Sequence, residues 1–484
     1  MKLTVLRLLV LLLLLPLVSR ADNPVDVEDY LRRFHENPSR VMNDRLPKWS
    51  EGGELATQSK DVSVEEKGDA RRELLSRSRS NLWSEIPDSE RPDDLLAGIR
   101  AERRLTEMEK KGLKKSYLDE KPWSGSYWPT RNGALSWRYN DPAFPGKDFK
   151  TNYSSYEARP AETLPDEQLS PAEKYDILVG DANFTLTKEN WARGLEVVKT
   201  KPDVPKWYGL CHGWAPAAYL EHQPRKAVTV PARSGRMITF LPADIKALAS
   251  SLWADTIPDV IFIGKKCVKP KPKEDDMGRV IDPECFNTNP GTWHLTLVNR
   301  IGVGRESFVM DATYDTEVWN QPIYGYKYSY FNPQTLKVSD SLFGSIVEKD
   351  KFKLDKFKKY RSAKAKYVVG IALDITYVNE IQPHTGTGAD RAVLKTVRYI
   401  YDLELDAGHQ IIGGEWYSNK HPDFIWAVEA GFNARSIGEK RTGLRDTWNG
   451  QAPVSDDFVR AAEISSAHEE PLAGIVQGLI QLSR

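Results

Sequence analysis

Residues 207–218 read WYGLCHGWAPAA, and this pattern predicts how the middle of the chain folds. Gly209 provides a turn, and an alanine-rich run with Pro216 near its start follows directly. Helices tolerate proline in their first turn. We therefore expect Cys211 at or near a helix N-terminus, where the helix dipole favours a thiolate. Cys211 is the candidate nucleophile, and a small buried core cysteine is the alternative interpretation.

A cysteine nucleophile needs a partner that takes its proton, and His294 is the candidate. In NPGTWHLTLV, residues 289–298, His294 follows a turn and opens a predicted apolar strand. Asp311 ends a second predicted short strand, and Asp315 competes with it for the carboxylate role. If the two strands are antiparallel neighbours, the carboxylate fixes the tautomer of the imidazole. His212 is a weaker candidate because adjacent side chains on a helix diverge.

The overall composition excludes several classes of protein. The chain has 484 residues, 40% of them hydrophobic and 10% aromatic, which is enough for a substantial core and two or three domains. Lys plus Arg and Asp plus Glu both number 68, and this balance argues against electrostatic binding of nucleic acid. The three cysteines form no CxxC pair, which argues against a clustered zinc site.

The N-terminus predicts export from the cell. Residues 1–21 combine basic residues, an apolar run too short to span a bilayer and a small-residue cleavage site, as signal peptides do. In an oxidising compartment we expect Cys267 and Cys285 to form a disulfide across a charged loop, leaving the third cysteine free. The sequons at Asn152 and Asn183 are glycosylation candidates.

Changes in composition divide the chain into five predicted segments. The charged segment after the signal peptide contains a predicted amphipathic helix over residues 93–115. We interpret that segment as an inhibitory pro-region or as a flexible spacer. The predicted segments are the signal peptide 1–21, the charged N-terminal segment 22–121, the catalytic core 122–345, a β-rich extension 346–445 and a C-terminal tail 446–484.

Several strings resemble the secreted transglutaminase elicitor family of oomycetes, which has bacterial relatives. They are WYGLCHGWAPAA, GTWHLTLVN and GGEWYSNKHPDFIW. Residues 317–327, EVWNQPIYGYK, resemble the surface peptide through which plants recognise these elicitors. Cys, His, Asp is also the order that transglutaminases use, and Asp311-Ala312-Thr313 resembles the Asp-Pro-Thr of that superfamily. The resemblance covers roughly residues 122–426.

The resemblance implies an α+β fold with a papain/transglutaminase-like core, and acyl transfer through a thioester at Cys211. His294 and Asp311 would complete the triad, and an indole N–H, from Trp207 or secondarily Trp214, would stabilise the oxyanion. Protein glutamines are the implied acyl donors, and lysines or other primary amines are the implied acceptors. No organic cofactor is implied.

The resemblance also raises the question of calcium, because some family members require Ca²⁺. Residues 274–276, Glu-Asp-Asp, form an acidic run without the spacing of an EF-hand, so no metal ligand is assigned.

Two other functions stay open at this point. A papain-like cysteine peptidase needs the same thiol and imidazole, and often has a pro-region. A non-catalytic secreted elicitor or surface protein would instead need only the host-recognised segment 317–327. We expect no membrane anchor and no nucleic-acid partner.

Overall fold

The computed structural model describes residues 26–44, 84–96, 98–256, 259–269, 271–285, 287–313, 317–388 and 392–484. The predicted signal peptide and Asp315 lie outside the described residues, as does most of the charged N-terminal segment before residue 84. Within the described ranges, no helix combines the length and the apolar character needed to cross a membrane.

The helices occur mainly before and after the long strands. They are α1 (Val27–Glu36), α2 (Pro38–Asn43), α3 (Leu105–Lys110), α4 (Phe149–Glu157), α5 (Pro171–Val179), α6 (Thr185–Val198), α7 (Cys211–Leu220), α8 (Pro242–Asp255), α9 (Pro290–Leu297), α10 (Leu342–Ser345), α11 (Ile437–Thr442), α12 (Asp456–Ser466) and α13 (Ala473–Leu482). Helix α5 begins with a capping box, in which Ser170 and Glu173 each satisfy the backbone N–H of the other.

The strands are β1 (Lys115–Tyr117), β2 (Val228–Pro231), β3 (Met237–Phe240), β4 (Val260–Gly264), β5 (Val309–Asp311), β6 (Asn320–Asn332), β7 (Lys337–Ser339), β8 (Val347–Glu348), β9 (Tyr367–Val378), β10 (Leu394–Leu405), β11 (Ile411–Trp416) and β12 (Phe424–Val428). Most of them form one sheet in the order β11-β10-β9-β6-β5-β12-β4. Strands β1 and β7 also pair with β6, β8 pairs with β9, and β2 and β3 form a separate hairpin. The predicted α+β class is confirmed.

The strands of the predicted β-rich extension belong to the same sheet as those of the predicted core. Strand β9 pairs with β6 along most of its length, and β12 lies between β5 and β4. The C-terminal tail also belongs to the folded core. Its helices α12 and α13 bury Phe458, Val476 and Leu479 in the cluster that contains Trp214 of α7. Residues from all three segments therefore hold α7 in place.

Helix α7 packs closely against α8. A Cβ atom at Gly213, two residues after Cys211, would lie 2.0 Å from the carbonyl oxygen of Ser250. Only glycine permits this approach of the two backbones. The glycine seen in the sequence is therefore needed for the packing that fixes the start of α7.

The single amphipathic helix predicted over residues 93–115 is wrong. A 3-10 helix covers Pro92–Leu96, Gly98 then has a positive φ of 83°, and the chain reaches α3 and β1 separately. Leu95, Leu105 and Met108 are completely buried in the core that also contains Trp293. The apolar residues of the predicted helix are thus part of the core.

The apolar strand predicted to begin at His294 is also wrong. Asn289 caps helix α9 by accepting a hydrogen bond from the N–H of Gly291, and Pro290 occupies the first helical position. These are helix-start signals, and they outweigh the preference of Thr and Val for strands. His294 therefore lies inside a fully buried helix.

Candidate active site

Cys211 is the first residue of α7, as the sequence predicts. The turn before it is fixed because the N–H of Leu210 donates to the carbonyl oxygen of Tyr127 at 2.6 Å. The predicted Cys267–Cys285 disulfide is present, and Cys211 is a free, buried thiol that is 5% exposed. The structure therefore places an unpaired thiol at a helix N-terminus.

Asn320 is the side chain that holds this thiol. Its Nδ2 lies 3.4 Å from Sγ of Cys211, and its backbone N–H also donates toward the sulfur. Its Oδ1 accepts a hydrogen bond of 2.8 Å from Nε1 of Trp426 on β12, which fixes the orientation of the amide. The thiol itself faces the carbonyl oxygen of Val318 at 3.8 Å. The thiol of Cys211, the amide of Asn320 and the indole of Trp426 therefore form one chain of hydrogen bonds.

The thiol is protonated at neutral pH. Burial raises the pKa of Cys211 to about 11, the hydrogen bonds from Asn320 lower it, and the charges of Glu380 and Asp311 raise it. The helix N-terminus predicted a thiolate, and burial overrides that effect. The thiol must therefore lose its proton when substrate arrives.

Asp311 is a buried carboxyl group beside the thiol site. It ends β5 as predicted, and its register partner on β6 is Asn320. Oδ1 accepts hydrogen bonds from the N–H of Trp319 at 3.0 Å and from Oγ1 of Thr313 at 2.9 Å, whereas Oδ2 is buried with no partner among the described residues. Burial raises the pKa of Asp311 to about 7. Such a group can exchange a proton at neutral pH.

His294 is not hydrogen-bonded to Asp311. Its Nδ1 lies 2.8 Å from the hydroxyl oxygen of Tyr401, its ring packs edge-on against Tyr328, and its Nε2 has no partner among the described residues. Burial lowers the pKa of His294 to about 3, so the imidazole is neutral at physiological pH. The predicted pairing of the imidazole with Asp311 is therefore wrong, because helix α9 replaces the strand that the pairing required.

The sequence reasoning missed Asn320, although a signal was available. Asp311 and Asn320 flank a short connection between two apolar runs, and a hairpin there pairs the two residues. Trp426 and Glu380 lie far away in the sequence, and only the order of strands brings them to this place. Glu380 accepts a hydrogen bond of 2.6 Å from Nε2 of Gln321, the residue after Asn320.

The two tryptophans considered for the oxyanion lie in different surroundings. Trp207 is partly exposed, and Nζ of Lys266 lies 4.9 Å from the centre of its ring. The charge of Lys266 also lowers the pKa of Asp311. Trp214 is completely buried one turn after Cys211, and its Nε1 has no partner among the described residues.

The acidic run at residues 274–276 does not fit a calcium site. The carboxylate of Asp275 already accepts hydrogen bonds from the hydroxyl of Tyr360 and from the backbone N–H groups of Met277 and Arg279. In the described ranges, no group of three or more His, Cys, Asp or Glu side chains is arranged to hold a metal ion. We therefore assign no calcium ligand.

One of the two glycosylation candidates is inaccessible. The amide of Asn152 is fully buried and donates to the carbonyl oxygens of Arg131 and Lys147. A glycan cannot be attached to this side chain in the folded protein, so that prediction is wrong. Asn183 is exposed and stays a prediction.

Residues 317–327 are not a surface peptide. From Asn320 onward they form part of β6, paired with β5 at the start and with β9 farther along. Ile323 and Tyr326 are completely buried, and Glu317 and Trp319 are partly exposed. Most of the segment resembling the elicitor peptide is thus an interior strand, and its start contacts the thiol.

Comparisons with known proteins place the chain in a family. Curated protein sequences give no significant match. The fold is similar to the crystal structure of the GP42 transglutaminase from Phytophthora sojae, with 20% identity, a TM-score of 0.49 and coverage of 81% of this chain and 99% of that one. A family profile described as transglutaminase elicitor matches residues 99–445, which extends beyond the resemblance seen in the sequence at both ends. The chain therefore belongs to the transglutaminase elicitor family.

Proposed function

We propose that the protein is a protein-glutamine γ-glutamyltransferase in which Cys211 is the nucleophile. The observation that carries this proposal is a free thiol at the start of α7, oriented by Asn320, beside a buried carboxyl group with an unused oxygen. Nucleophilic catalysis by cysteine needs a fixed thiol and a nearby group that takes its proton. Membership of the transglutaminase elicitor family supports acyl transfer as the reaction class.

The proton acceptor in this proposal is Asp311 rather than the predicted His294. Burial raises the pKa of Asp311 to about 7, which suits proton transfer at neutral pH, whereas the pKa of His294 is lowered to about 3. The charge of Asp311 also acts on the thiol, while the only described hydrogen bond of the His294 imidazole is with Tyr401. Comparison of Asp311→Asn with His294→Gln tests which of the two side chains takes the proton.

The reaction then has two halves. The Asp311 carboxylate takes the thiol proton, the sulfur attacks the side-chain carbonyl of a glutamine, the C–N bond breaks, and the leaving nitrogen takes the proton from Asp311 as ammonia departs. A neutral primary amine next attacks the thioester and gives a proton to Asp311. The C–S bond breaks, and the sulfur leaves and recovers a proton from Asp311. Water in place of the amine gives deamidation.

We also propose that the protein acts outside the cell on exposed glutamine and lysine side chains. Support comes from the predicted signal peptide and from the disulfide, because disulfides persist in oxidising compartments. Host recognition of residues 317–327 would require this strand to be released from the sheet or to be presented only through its partly exposed start.

The function is tested by supplying a glutamine-containing protein and a fluorescent alkylamine, and by measuring ammonia release and amine incorporation. We expect wild type to do both and Cys211→Ala to do neither, with Cys211→Ser as the closest variant in shape. Circular dichroism shows whether each variant is folded. Peptide-bond cleavage without incorporation would instead support the peptidase, and the absence of both reactions would support the non-catalytic elicitor.

A further inference from the structure

A second carboxylate, that of Glu380, follows β9 by two residues and lies near the thiol site. It is partly buried, and its Oε1 accepts a hydrogen bond of 2.6 Å from Nε2 of Gln321. Glu380 lies close enough to Cys211 for its charge to raise the pKa of the thiol, with a larger effect than that of Asp311. Neither half of the proposed reaction uses this carboxylate.

Two aromatic rings border the same place. Tyr127 and Trp319 pack edge to face with ring centres 5.1 Å apart, and both are partly exposed. Burial and then the charge of Glu380 raise the pKa of Tyr127 to about 12, which places the carboxylate near this ring as well. The backbone of Tyr127 contacts the residue before Cys211, and that of Trp319 contacts Asp311. The rings are thus tied to the catalytic groups by main-chain hydrogen bonds.

A buried polar atom points to a missing ligand. Oε1 of Gln321, a side chain that is 2% exposed, has no hydrogen-bond partner among the described residues, although its Nε2 is bonded to Glu380. Buried acceptors of this kind are normally satisfied. Carbonyl oxygen, carboxylate and aromatic faces together suit a side chain with an alkyl stem and an ammonium head.

We propose that Glu380, Gln321 and the rings of Tyr127 and Trp319 form the subsite for the lysine side chain of the acyl acceptor. This proposal rests on the transglutaminase function proposed above. The rings contact the alkyl stem, and the ammonium donates hydrogen bonds to the carboxylate of Glu380 and to Oε1 of Gln321. Glu380 takes one proton from the ammonium and later releases it to solvent, and the resulting neutral amine attacks the thioester as described.

The test compares a charged acceptor with an uncharged one in Glu380→Gln. A fluorescent alkylamine is a cation at pH 7, whereas hydroxylamine is largely neutral, and both react with thioesters. We expect KM for the alkylamine to rise roughly ten- to hundredfold, because a hydrogen bond to a charged group is lost. KM for hydroxylamine should change much less than KM for the alkylamine, because a neutral acceptor makes no ion pair with the carboxylate, and ammonia release from a glutamine peptide measures any separate effect on the thiol.

Two variants serve as controls. Asp374→Asn removes a carboxylate from the same strand that is paired with Arg398, and it should leave both KM values unchanged. Lys395→Gln removes the cation whose charge lowers the pKa of Glu380, so Glu380 is more protonated at pH 7 and KM for the alkylamine should rise several-fold. If Glu380→Gln does not fold, KM of Lys395→Gln for the alkylamine tests whether the carboxylate of Glu380 binds the ammonium.

The possible outcomes separate the two proposals. Equal effects of Glu380→Gln on both acceptors, or no effect on either, would overturn the lysine subsite while leaving the transglutaminase function intact. If wild type released no ammonia from glutamine, the proposed function itself would be wrong. A selective loss of the charged acceptor supports the subsite.

Discussion

Cys211 and His294 are both buried and both chemically able to react, yet their surroundings differ. The thiol lies at the N-terminus of α7, beside the amide of Asn320. The charges of two carboxyl groups, Asp311 and Glu380, act on it. The imidazole lies inside a helix between the rings of Tyr328 and Tyr401. Ionisable neighbours allow proton exchange, whereas an aromatic environment keeps a group neutral. A reactive residue type therefore becomes part of an active site only when its neighbours allow it to exchange protons.

The largest effect expected from this contrast is on turnover. Asp311→Asn keeps the shape of the side chain but cannot take a proton, so kcat should fall by about 10²- to 10⁴-fold. His294→Gln should change kcat by less than about threefold at pH 7, since a neutral hydrogen-bonding side chain replaces another. Initial rates of amine incorporation measure both.

The reverse result would restore the predicted triad. If His294→Gln lost most of its activity while Asp311→Asn kept it, the imidazole would be the base. The active protein would then have to rearrange α9 to bring His294 to the thiol. Thermal unfolding of both variants shows whether either loss reflects unfolding alone.

Sequence reasoning succeeded where local signals and chemistry agreed. The turn and alanine-rich run predicted α7 with Cys211 at its start, and the export signal together with three cysteines predicted the disulfide. It failed for His294 because an apolar run after a turn suggested a strand while Asn289 and Pro290 signalled a helix. When a cap and a propensity disagree, the cap defines the backbone at that point.

The remaining parts of the site depend on long-range pairing. Glu380 and Trp426 reach the thiol only because β9 and β12 lie on either side of the β5–β6 pair. No local pattern around either residue encodes that order of strands. The surface location expected for residues 317–327 came from the family resemblance, whereas pairing of β6 on both sides, which no local pattern encodes, puts most of the segment in the interior.

An intermediate effect is expected from the indole that orients Asn320. Trp426→Phe removes the hydrogen bond from Nε1 to Oδ1 of Asn320, which lets the amide rotate away from the thiol. A hydrogen bond of this kind contributes about 1 kcal/mol, so we expect kcat to fall roughly fivefold. Trp416→Phe is the matched control, because its Nε1 donates to the carbonyl oxygen of Thr288. Equal losses in both variants would mean that Asn320 does not depend on the indole.

The smallest effect at neutral pH is expected from His294→Gln on stability. The pKa of His294 is about 3 in the folded protein against an ordinary value of 6.5, so between these values the unfolded chain binds a proton that the folded protein does not. The contribution to stability is therefore complete above about pH 6.5 and is lost as the pH falls, by at most about 1.4 kcal/mol per pH unit. Buried carboxyl groups with raised pKa, such as Asp311, act in the opposite direction in both wild type and His294→Gln, so the informative quantity is the difference between the two proteins.

Chemical denaturation at pH 7, 6 and 5 should show a wild-type free energy of unfolding that falls more steeply with acid than that of His294→Gln. Parallel pH profiles would mean that the imidazole is solvated and able to accept a proton, which would return it to the list of candidate bases.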